Sequence, residues 1–305
     1  MSLFSLIAAL LVEQLHPLAK RRQISIGIAR YANFLERQLN AGERKHGVLA
    51  WLVAVVPAVL AAAIIYWLLV RIHPLFGLAW NVVVLYITMG FRQFSHYFTD
   101  IHQALRQGDL ESARGLLSSW RGQSADGLDA GDIARLAIEE GIVAAHYHVF
   151  AVVVWFVLLP GPSGALLYRL SLHLSKRWGG LTEAGPFGDF PRRAFAVLDW
   201  LPSRLTAAAF AVVGDFEDAV YCWRSQAALW PDRNLGVLLA SGAGALGVRL
   251  GMPIREGNDL VDRPELGTGE MADAAFMESA IGLGWRALVM WMLLLLLLGF
   301  ASVVG

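Results

Sequence analysis

The sequence predicts an all-α fold, a polytopic bundle of membrane helices with short re-entrant or partial spans and cytoplasmic helical loops. Of the 305 residues, 56% are hydrophobic and only 16% are charged, whereas soluble domains carry about 25% charged residues. The apolar residues gather into long blocks, and about 20 such residues are enough to cross the hydrocarbon of a bilayer. A soluble domain is therefore excluded. With 25 basic and 25 acidic residues, a global attraction to nucleic acid is not expected either.

The first 91 residues predict a short helix followed by a helical hairpin. Residues 2–12 are apolar and predict a membrane-embedded or interfacial helix. Residues 48–70 contain no charge and predict the first full span. Residues 75–91 follow after a short turn and predict a second span that returns across the membrane.

Residues 92–141 differ from the hairpin because they hold five Arg and eight acidic residues. This composition predicts a water-facing helical layer. Asp109 is placed to cap one helix, and Asp129 or Asp132 is placed to cap the helix that runs into the membrane.

The second half of the chain alternates apolar and polar segments. Residues 142–159 and 288–304 predict full spans, whereas 163–174 and 205–213 are apolar but too short to cross. Residues 229–285 are rich in glycine and predict a C-terminal loop region. Residues 1–305 are interpreted as a single membrane domain.

Basic residues predict the orientation of the chain. Residues 19–47 hold seven Lys or Arg against two Glu, which predicts a cytoplasmic location. Residues 92–141 and 176–204 are expected on the same side. The expected location is a bacterial-type inner membrane, with several spans and with the main polar loops in the cytoplasm.

Arg92, His96 and Asp100 form the first candidate group. On a helix they fall at i, i+4 and i+8 and share one face. Asp100 can orient or charge His96 while Arg92 holds an anion, which indicates a phosphate or carboxylate site near the membrane surface. A solvated helix start is the alternative, because such charge patterns occur on many exposed helices.

Further candidates lie close to the apolar segments. Ionisable groups at membrane depth are functional candidates by default. His146 and His148 can handle a ligand or a proton, or can serve as structural hydrogen-bonding groups. Glu139 and Glu140 form a carboxylate pair that can bind a cation or exchange a proton, or can simply complement the dipole of its helix. Glu140 is the member of the pair that we assign to the site.

Three more residues complete the hypothesis. Arg169 lies within an apolar segment and needs an anionic partner, and Tyr168 can share its polar environment. Arg204 can bind a phosphate of lipid or substrate, or it can anchor the chain at the interface. The hypothesis is that these residues and the preceding candidates form the polar floor of one cytoplasm-facing cavity. Arginine would bind anions there, and the histidines and acids would transfer protons or contact a metal whose identity is unknown.

Five segments, in the same order along the chain, resemble the CbiB/CobD family of cobalamin-biosynthesis membrane proteins. They are ALRQGDLESAR at 104–114, AIEE at 137–140, GPSGALLYR at 161–169, DWLPSRLT at 199–206 and GAGALGVRLG at 242–251. The resemblance extends through most of the chain.

The resemblance implies adenosylcobinamide-phosphate synthase chemistry. Such an enzyme joins a carboxyl of adenosylcobyric acid to an aminopropanol-type amine, with ATP and Mg²⁺. The expected partners are a corrinoid or another cytoplasmic small molecule, membrane lipids and other membrane proteins, but no nucleic acid.

The chain departs from the family pattern at several acidic positions. After 137–140 the family carries A-E-N-x-x-D-G, whereas residues 143–149 here read VAAHYHV. The start of the chain, with Glu13, and the 199–206 element also resemble AmpE, a related membrane protein. A catalytically degenerate, AmpE-like regulatory or accessory protein is therefore the alternative to an ATP-dependent ligase.

Overall fold

The computed structural model describes residues 2–15, 21–179, 182–256 and 259–304. In chain order, the α-helices of these residues are α1 (Ser2–Leu15), α2 (Arg21–Leu39), α3 (Arg44–Ile72), α4 (Pro74–Thr88), α5 (Phe91–Arg106), α6 (Leu110–Arg121), α7 (Ala130–Ala145), α8 (Ala151–Leu158), α9 (Ser163–Gly179), α10 (Asp189–Val213), α11 (Phe216–Gln226), α12 (Arg233–Leu246) and α13 (Ala274–Val304). A π-helical turn, His146–Phe150, joins α7 to α8.

The described strands all lie between α12 and α13. They are β1 (Val248–Gly251), β2 (Ile254–Glu256), β3 (Asp259–Val261), β4 (Glu265–Leu266) and β5 (Glu270–Met271). β1 is the middle strand of a three-stranded sheet, antiparallel to β4 and parallel to β5. β2 and β3 form an antiparallel hairpin in which Ile254 pairs with Val261.

Helical stretches long and apolar enough to cross a membrane confirm the predicted all-α, polytopic fold. By length and composition, four such stretches lie in the described residues: Arg44–Ile72, Ala130–Leu158, Gly185–Val213 and Ala274–Ala301. The predicted spans at 48–70, 142–159 and 288–304 all fall on them. The N-terminal apolar segment also forms the predicted helix, as α1.

The second predicted span, 75–91, is wrong at its end. α4 ends at Thr88, and α5 begins at Phe91. The Thr88 hydroxyl donates a hydrogen bond of 2.8 Å to the Val84 carbonyl oxygen, and such bonding competes with continued helix. At 15 residues, α4 is shorter than the about 20 residues that a full span needs.

The predicted half span at 205–213 is also wrong, because these residues are the last part of the 25-residue helix α10. Pro202 lies inside that helix rather than in its lead-in. Proline cannot donate to the carbonyl four residues earlier. The indole Nε1 of Trp155 donates to that oxygen instead, on Leu198, at 3.1 Å.

The predicted loop region at 229–285 instead contains α12, five short strands and the start of α13. The glycines of α12 allow neighbouring segments to approach closely. A Cβ on Gly242 would lie 2.9 Å from the Ile142 side chain, and one on Gly244 would meet the Asp218 carbonyl. The strands are two to four residues long, too short to produce visible alternation in the sequence.

The polar layer at 92–141 contains α5, α6 and the start of α7. The Asp109 side chain accepts a hydrogen bond of 3.0 Å from the Ser112 amide, which confirms it as the N-cap of α6. The Asp129 side chain accepts 2.8 Å from the Asp132 amide, so Asp129 rather than Asp132 caps α7.

The chain divides into two compact units. The first contains Met1–Gly90 and Ala151–Pro202, and the second contains Phe91–Phe150 and Ser203–Gly305. In the first, Ala32 of α2, Ala54 of α3 and Trp178 of α9 belong to one buried cluster. In the second, α7 packs against α5, α12 and α13.

Candidate functional site

One face of α7 carries the polar groups at the centre of the second unit. This face carries three polar residues, Arg135, Glu139 and His146, with the apolar Ile142 between the last two. Their spacing of four, three and four residues places all four on one side of the helix. All four are buried. Because buried charged groups require partners, the contacts of this face show what the site can do.

His146 lies on the π-helical turn and has no exposed surface. Its Nδ1 is 2.9 Å from the Thr206 hydroxyl oxygen on α10. Thr206 is fully buried as well. Single π-helical turns within α-helices occur frequently at functional sites, and a buried imidazole beside a hydroxyl is able to exchange a proton.

Arg204 lies on the same segment of α10 and faces the start of α12. Its Nη1 donates 3.1 Å to the Asn234 side-chain oxygen and 3.4 Å to the Ser203 hydroxyl. Asn234 is held in place because Asp232 caps α12 and accepts a hydrogen bond from the Asn234 amide at 2.8 Å. The planar guanidinium group of an arginine can bind an anion through its parallel N–H donors.

Glu139 forms the central contact between α7 and the strand segment. Its two oxygens accept hydrogen bonds from Arg263, at 2.8 and 3.2 Å, and one of them accepts 2.8 Å from the Gly251 amide. Arg263 also donates to the Gly251 carbonyl at 3.0 Å. Arg135 donates to that same carbonyl and pairs with Asp132 at 2.6 Å.

This network neutralises its own charges, with two arginines and two acids in contact. Gly251 is in the left-handed region, at φ +73°, where a Cβ would also meet the Pro264 carbonyl. The buried network therefore fixes the turn that follows β1. On α7, Glu139 lies about two helical turns before His146.

Two of the predicted residues, Tyr168 and Arg169, lie in the first unit. Tyr168 is fully buried, and its hydroxyl donates 2.6 Å to Asp199 on α10. Asp199 is 1% exposed. Arg169 is half-buried on α9, next to Tyr168. A buried carboxylate that accepts a short hydrogen bond from a phenol is a strongly polar group within an apolar helix pair.

The other predicted residues of the second unit differ in exposure. His96 and Asp100 lie one turn apart on an exposed face of α5. His148 is half-buried, two residues after the fully buried His146. Glu140 is half-buried, with its carboxylate 3.7 Å from Arg121. Arg92 lies on α5, but its side chain is outside the described part of the structure.

The structure thus pairs His146 with Thr206, Arg204 with Asn234, and Glu140 with Arg121. That all the predicted residues form one cavity stays a prediction. Sequence reasoning chose Glu140 of the Glu139-Glu140 pair, whereas Glu139 is the buried member. It missed four other buried polar residues: Arg135, Asp199, Thr206 and Asn234. Asp199 and Thr206 lie within a segment already noted for its motif, whereas nothing in the sequence around Asn234 marks it.

No group of three or more His, Cys, Asp or Glu side chains that could hold a metal ion occurs in the described ranges. Glu139, the most deeply placed acid of α7, already accepts hydrogen bonds at both oxygens.

Comparison with known proteins gives a consistent family. A family model described as CobD/Cbib protein matches residues 6–283. The chain is 37% identical to the cobalamin biosynthesis protein CobD of Stutzerimonas stutzeri (strain A1501), over 98% of this chain and 99% of the relative.

More distant relatives carry the same type of name. CobD of Chromobacterium violaceum is 34% identical over 81% of this chain and 78% of its own. The cobalamin biosynthesis protein CbiB of Salmonella typhimurium is 28% identical over 66% and 64%. No solved structure matches the chain.

Proposed function

Because this chain belongs to the CobD/CbiB family, we propose that it acts in cobalamin biosynthesis as an adenosylcobinamide-phosphate synthase-like enzyme. The observation that carries the proposal is the match to a protein named for cobalamin biosynthesis over nearly the whole length of both chains. The relatives described above favour this function over the AmpE-like regulatory alternative.

The proposed reaction forms an amide between a carboxyl of adenosylcobyric acid and an aminopropanol-type amine. ATP, with the Mg²⁺ that its phosphates carry, is proposed as a substrate. The carboxylate takes the terminal phosphoryl group of ATP and releases ADP. The amine nitrogen then forms the C–N bond, the C–O bond to phosphate breaks, and the amine loses a proton.

The buried polar residues of the second unit are proposed to serve this chemistry. When His146 Nδ1 donates to the Thr206 hydroxyl, Nε2 is the nitrogen that accepts the amine proton. Arg204, held by Asn234, is proposed to bind phosphate oxygens. His96, Asp100, Glu140 and His148, with Arg92, Tyr168 and Arg169, stay proposed contributors to the same site.

The location belongs to the same proposal. The candidate spans make this a membrane protein. We propose that the membrane is a bacterial inner membrane, and that residues 19–47 and 92–141 face the cytoplasm, where a corrinoid, an amine and ATP are available. Other membrane proteins are possible partners under this proposal.

Deletion of the gene tests the function. Cells without the protein are expected to accumulate cobyric acid and to stop forming cobinamide phosphate, which is measured by mass spectrometry of corrinoid extracts. Normal cobinamide phosphate formation in the deletion strain would refute the proposal and favour a regulatory role.

An assay with purified protein tests the chemistry. Adenosylcobyric acid, aminopropanol phosphate and ATP with Mg²⁺ are expected to give the amide and ADP in equal amounts. His146→Gln is expected to slow the reaction about 100-fold, as for loss of a general base. His173→Gln, a change at a half-buried histidine of the first unit, is the control. Equal rates for the two variants would exclude the role proposed for His146.

A further inference from the structure

Basic side chains gather at the end of the first unit where α3 begins. Arg177, at the end of α9, donates 2.9 Å to Asn33 of α2. The Trp178 ring packs 5.3 Å from Phe187, and the Trp51 ring of α3 packs 5.7 Å from Phe190 of α10. These contacts bring α2, the start of α3, the end of α9 and the start of α10 to one end.

The exposed cations at this end form a group that we name the basic collar. It is defined here by six of these cations, Arg30, Arg37, Arg44, Lys45, Arg177 and Arg193, all of them exposed. Lys45 pairs with Glu43 at 2.7 Å. Among the described residues, no acidic group lies within ion-pair distance of Arg30, Arg37, Arg44 or Arg193, so the collar keeps a net positive charge.

The outer face of α2 combines these charges with apolar surface. Ala32 and Leu35 turn into the core, whereas Ile26, Tyr31 and Phe34 are 43%, 47% and 58% exposed. Exposed aromatic residues beside arginines are typical of helices that lie in the membrane interface. α2 ends five residues before α3, a candidate span, begins at Arg44.

We propose that α2 lies in the membrane–water interface and that the basic collar binds the phosphates of anionic lipid headgroups. The planar guanidinium group offers two parallel donors to phosphate oxygens. Basic clusters immediately beside a span attract anionic lipids, and aromatic rings are enriched at the depth of the headgroups.

The apolar side chains distinguish a lipid surface from other anions. A soluble phosphate compound would use the arginines alone and would leave Ile26, Tyr31 and Phe34 in water. A bilayer surface accounts for both features, since it offers phosphates beside an apolar layer at the level where a span ends.

Native mass spectrometry of the full-length protein in detergent tests this. The probes are phosphatidylglycerol and phosphatidylcholine with the same acyl chains, each titrated separately. Phosphatidylglycerol is expected to bind more tightly to the unchanged protein. Arg30→Gln with Arg37→Gln is expected to weaken its binding by roughly fivefold for each arginine removed, with a smaller loss for phosphatidylcholine, whose phosphate charge is offset by its own choline cation.

A double variant with Arg224→Gln and Arg233→Gln is the matched control, because both arginines are exposed and lie in the other unit. Phe34→Ala is expected to weaken both lipids alike, since it removes an apolar contact. Equal affinity of the two lipids, an equal loss in the control, or no effect of Phe34→Ala would each overturn the proposal. Full displacement of phosphatidylglycerol by free glycerol phosphate would overturn it too and would indicate a soluble phosphate site.

Discussion

Glu139 and Arg263 show how single residues hold the second unit together. Their side chains are 8% and 15% exposed, and they form two hydrogen bonds with each other. Removing one member of a buried pair leaves a charge without compensation. Because Glu139 also accepts from the Gly251 amide, its loss would leave an unsatisfied backbone donor as well.

Glu139→Ala is expected to destabilise the protein by about 3 kcal/mol, at the lower end of the range for buried pairs, because Arg263 retains some exposure. Glu139→Gln keeps an acceptor for Gly251 and should cost distinctly less. Tryptophan fluorescence during unfolding in mixed micelles measures both. Glu217→Ala, at an exposed acid, is the control. Similar losses for Ala and Gln would mean that packing, rather than the ion pair, matters at this position.

Asp109 makes a prediction about pH. Its hydrogen bonds to the Ser112 hydroxyl and amide hold the pKa of this carboxyl below its ordinary value. The pKa is lower in the folded state, so the carboxylate stabilises α6 fully when the pH is above the ordinary pKa of an Asp. This contribution is lost as the pH falls through the lowered pKa.

Asp109→Ala is expected to increase hydrogen exchange at 110–113 near pH 7, whereas Asp109→Asn should preserve protection because Asn also caps helices. Unchanged exchange in Asp109→Ala would show that the cap is not needed.

At the scale of elements, α10 continues through Pro202 because another helix replaces the lost hydrogen bond. Pro202 has no N–H group to donate to the Leu198 carbonyl oxygen. This oxygen accepts a hydrogen bond from the Trp155 indole of α8 instead. The hydrogen bond between Trp155 and Leu198 therefore joins α8 to α10 at the position where α10 lacks a backbone hydrogen bond. Close packing of α8 and α9 supports this arrangement, since a Cβ on Gly164 would meet the Trp155 carbonyl.

Trp155→Phe is expected to leave the Leu198 carbonyl without a donor, at a cost of about 1–3 kcal/mol. In a Pro202→Ala background, the new Ala amide can donate to Leu198. The cost of Trp155→Phe should then be smaller, which a double-mutant cycle of unfolding free energies measures. Additive effects would show that the indole does not compensate for the proline.

Across the whole molecule, the four candidate spans fall into two groups that differ in the share of their residues buried within the protein. The windows in Ala130–Leu158 and Gly185–Val213 are 56% and 44% buried, against 22% and 17% for those in Arg44–Ile72 and Ala274–Ala301. Glu139, Asp199 and Arg204 lie in the two more buried spans. Ionisable residues in membrane helices are expected to face protein or water-filled cavities in this way.

Cysteine labelling in cells tests the predicted sidedness. In a Cys222→Ser background, which removes the one natural thiol, Gln38→Cys and Gln123→Cys should resist an impermeant maleimide added outside. Leu75→Cys, 64% exposed after α3, should react. All three cysteine variants should react with the maleimide once the membrane is permeabilised. Labelling of Gln38→Cys from outside would reverse the assigned orientation.

Local sequence patterns predicted the membrane class, three of the long spans, the cap at Asp109 and the family, and they narrowed the cap of α7 to Asp129 or Asp132. Each depends on local composition or on a short motif, and the hydrophobic effect and helix capping act on such segments directly. The sequence also marked His146 and Arg204, though not the residues that hold them.

Three other features depend on contacts between residues far apart in the chain. The glycine-rich segment at 229–285 is helical at α12 because Ile142 and Asp218 pack against its glycines. Likewise, α10 persists through Pro202 because Trp155 supplies a donor. Glu139 rather than Glu140 is the buried acid because Arg263, more than 100 residues away in the sequence, meets it. Such long-range contacts leave no periodic signal in the chain, since either partner alone looks like an ordinary polar or small residue.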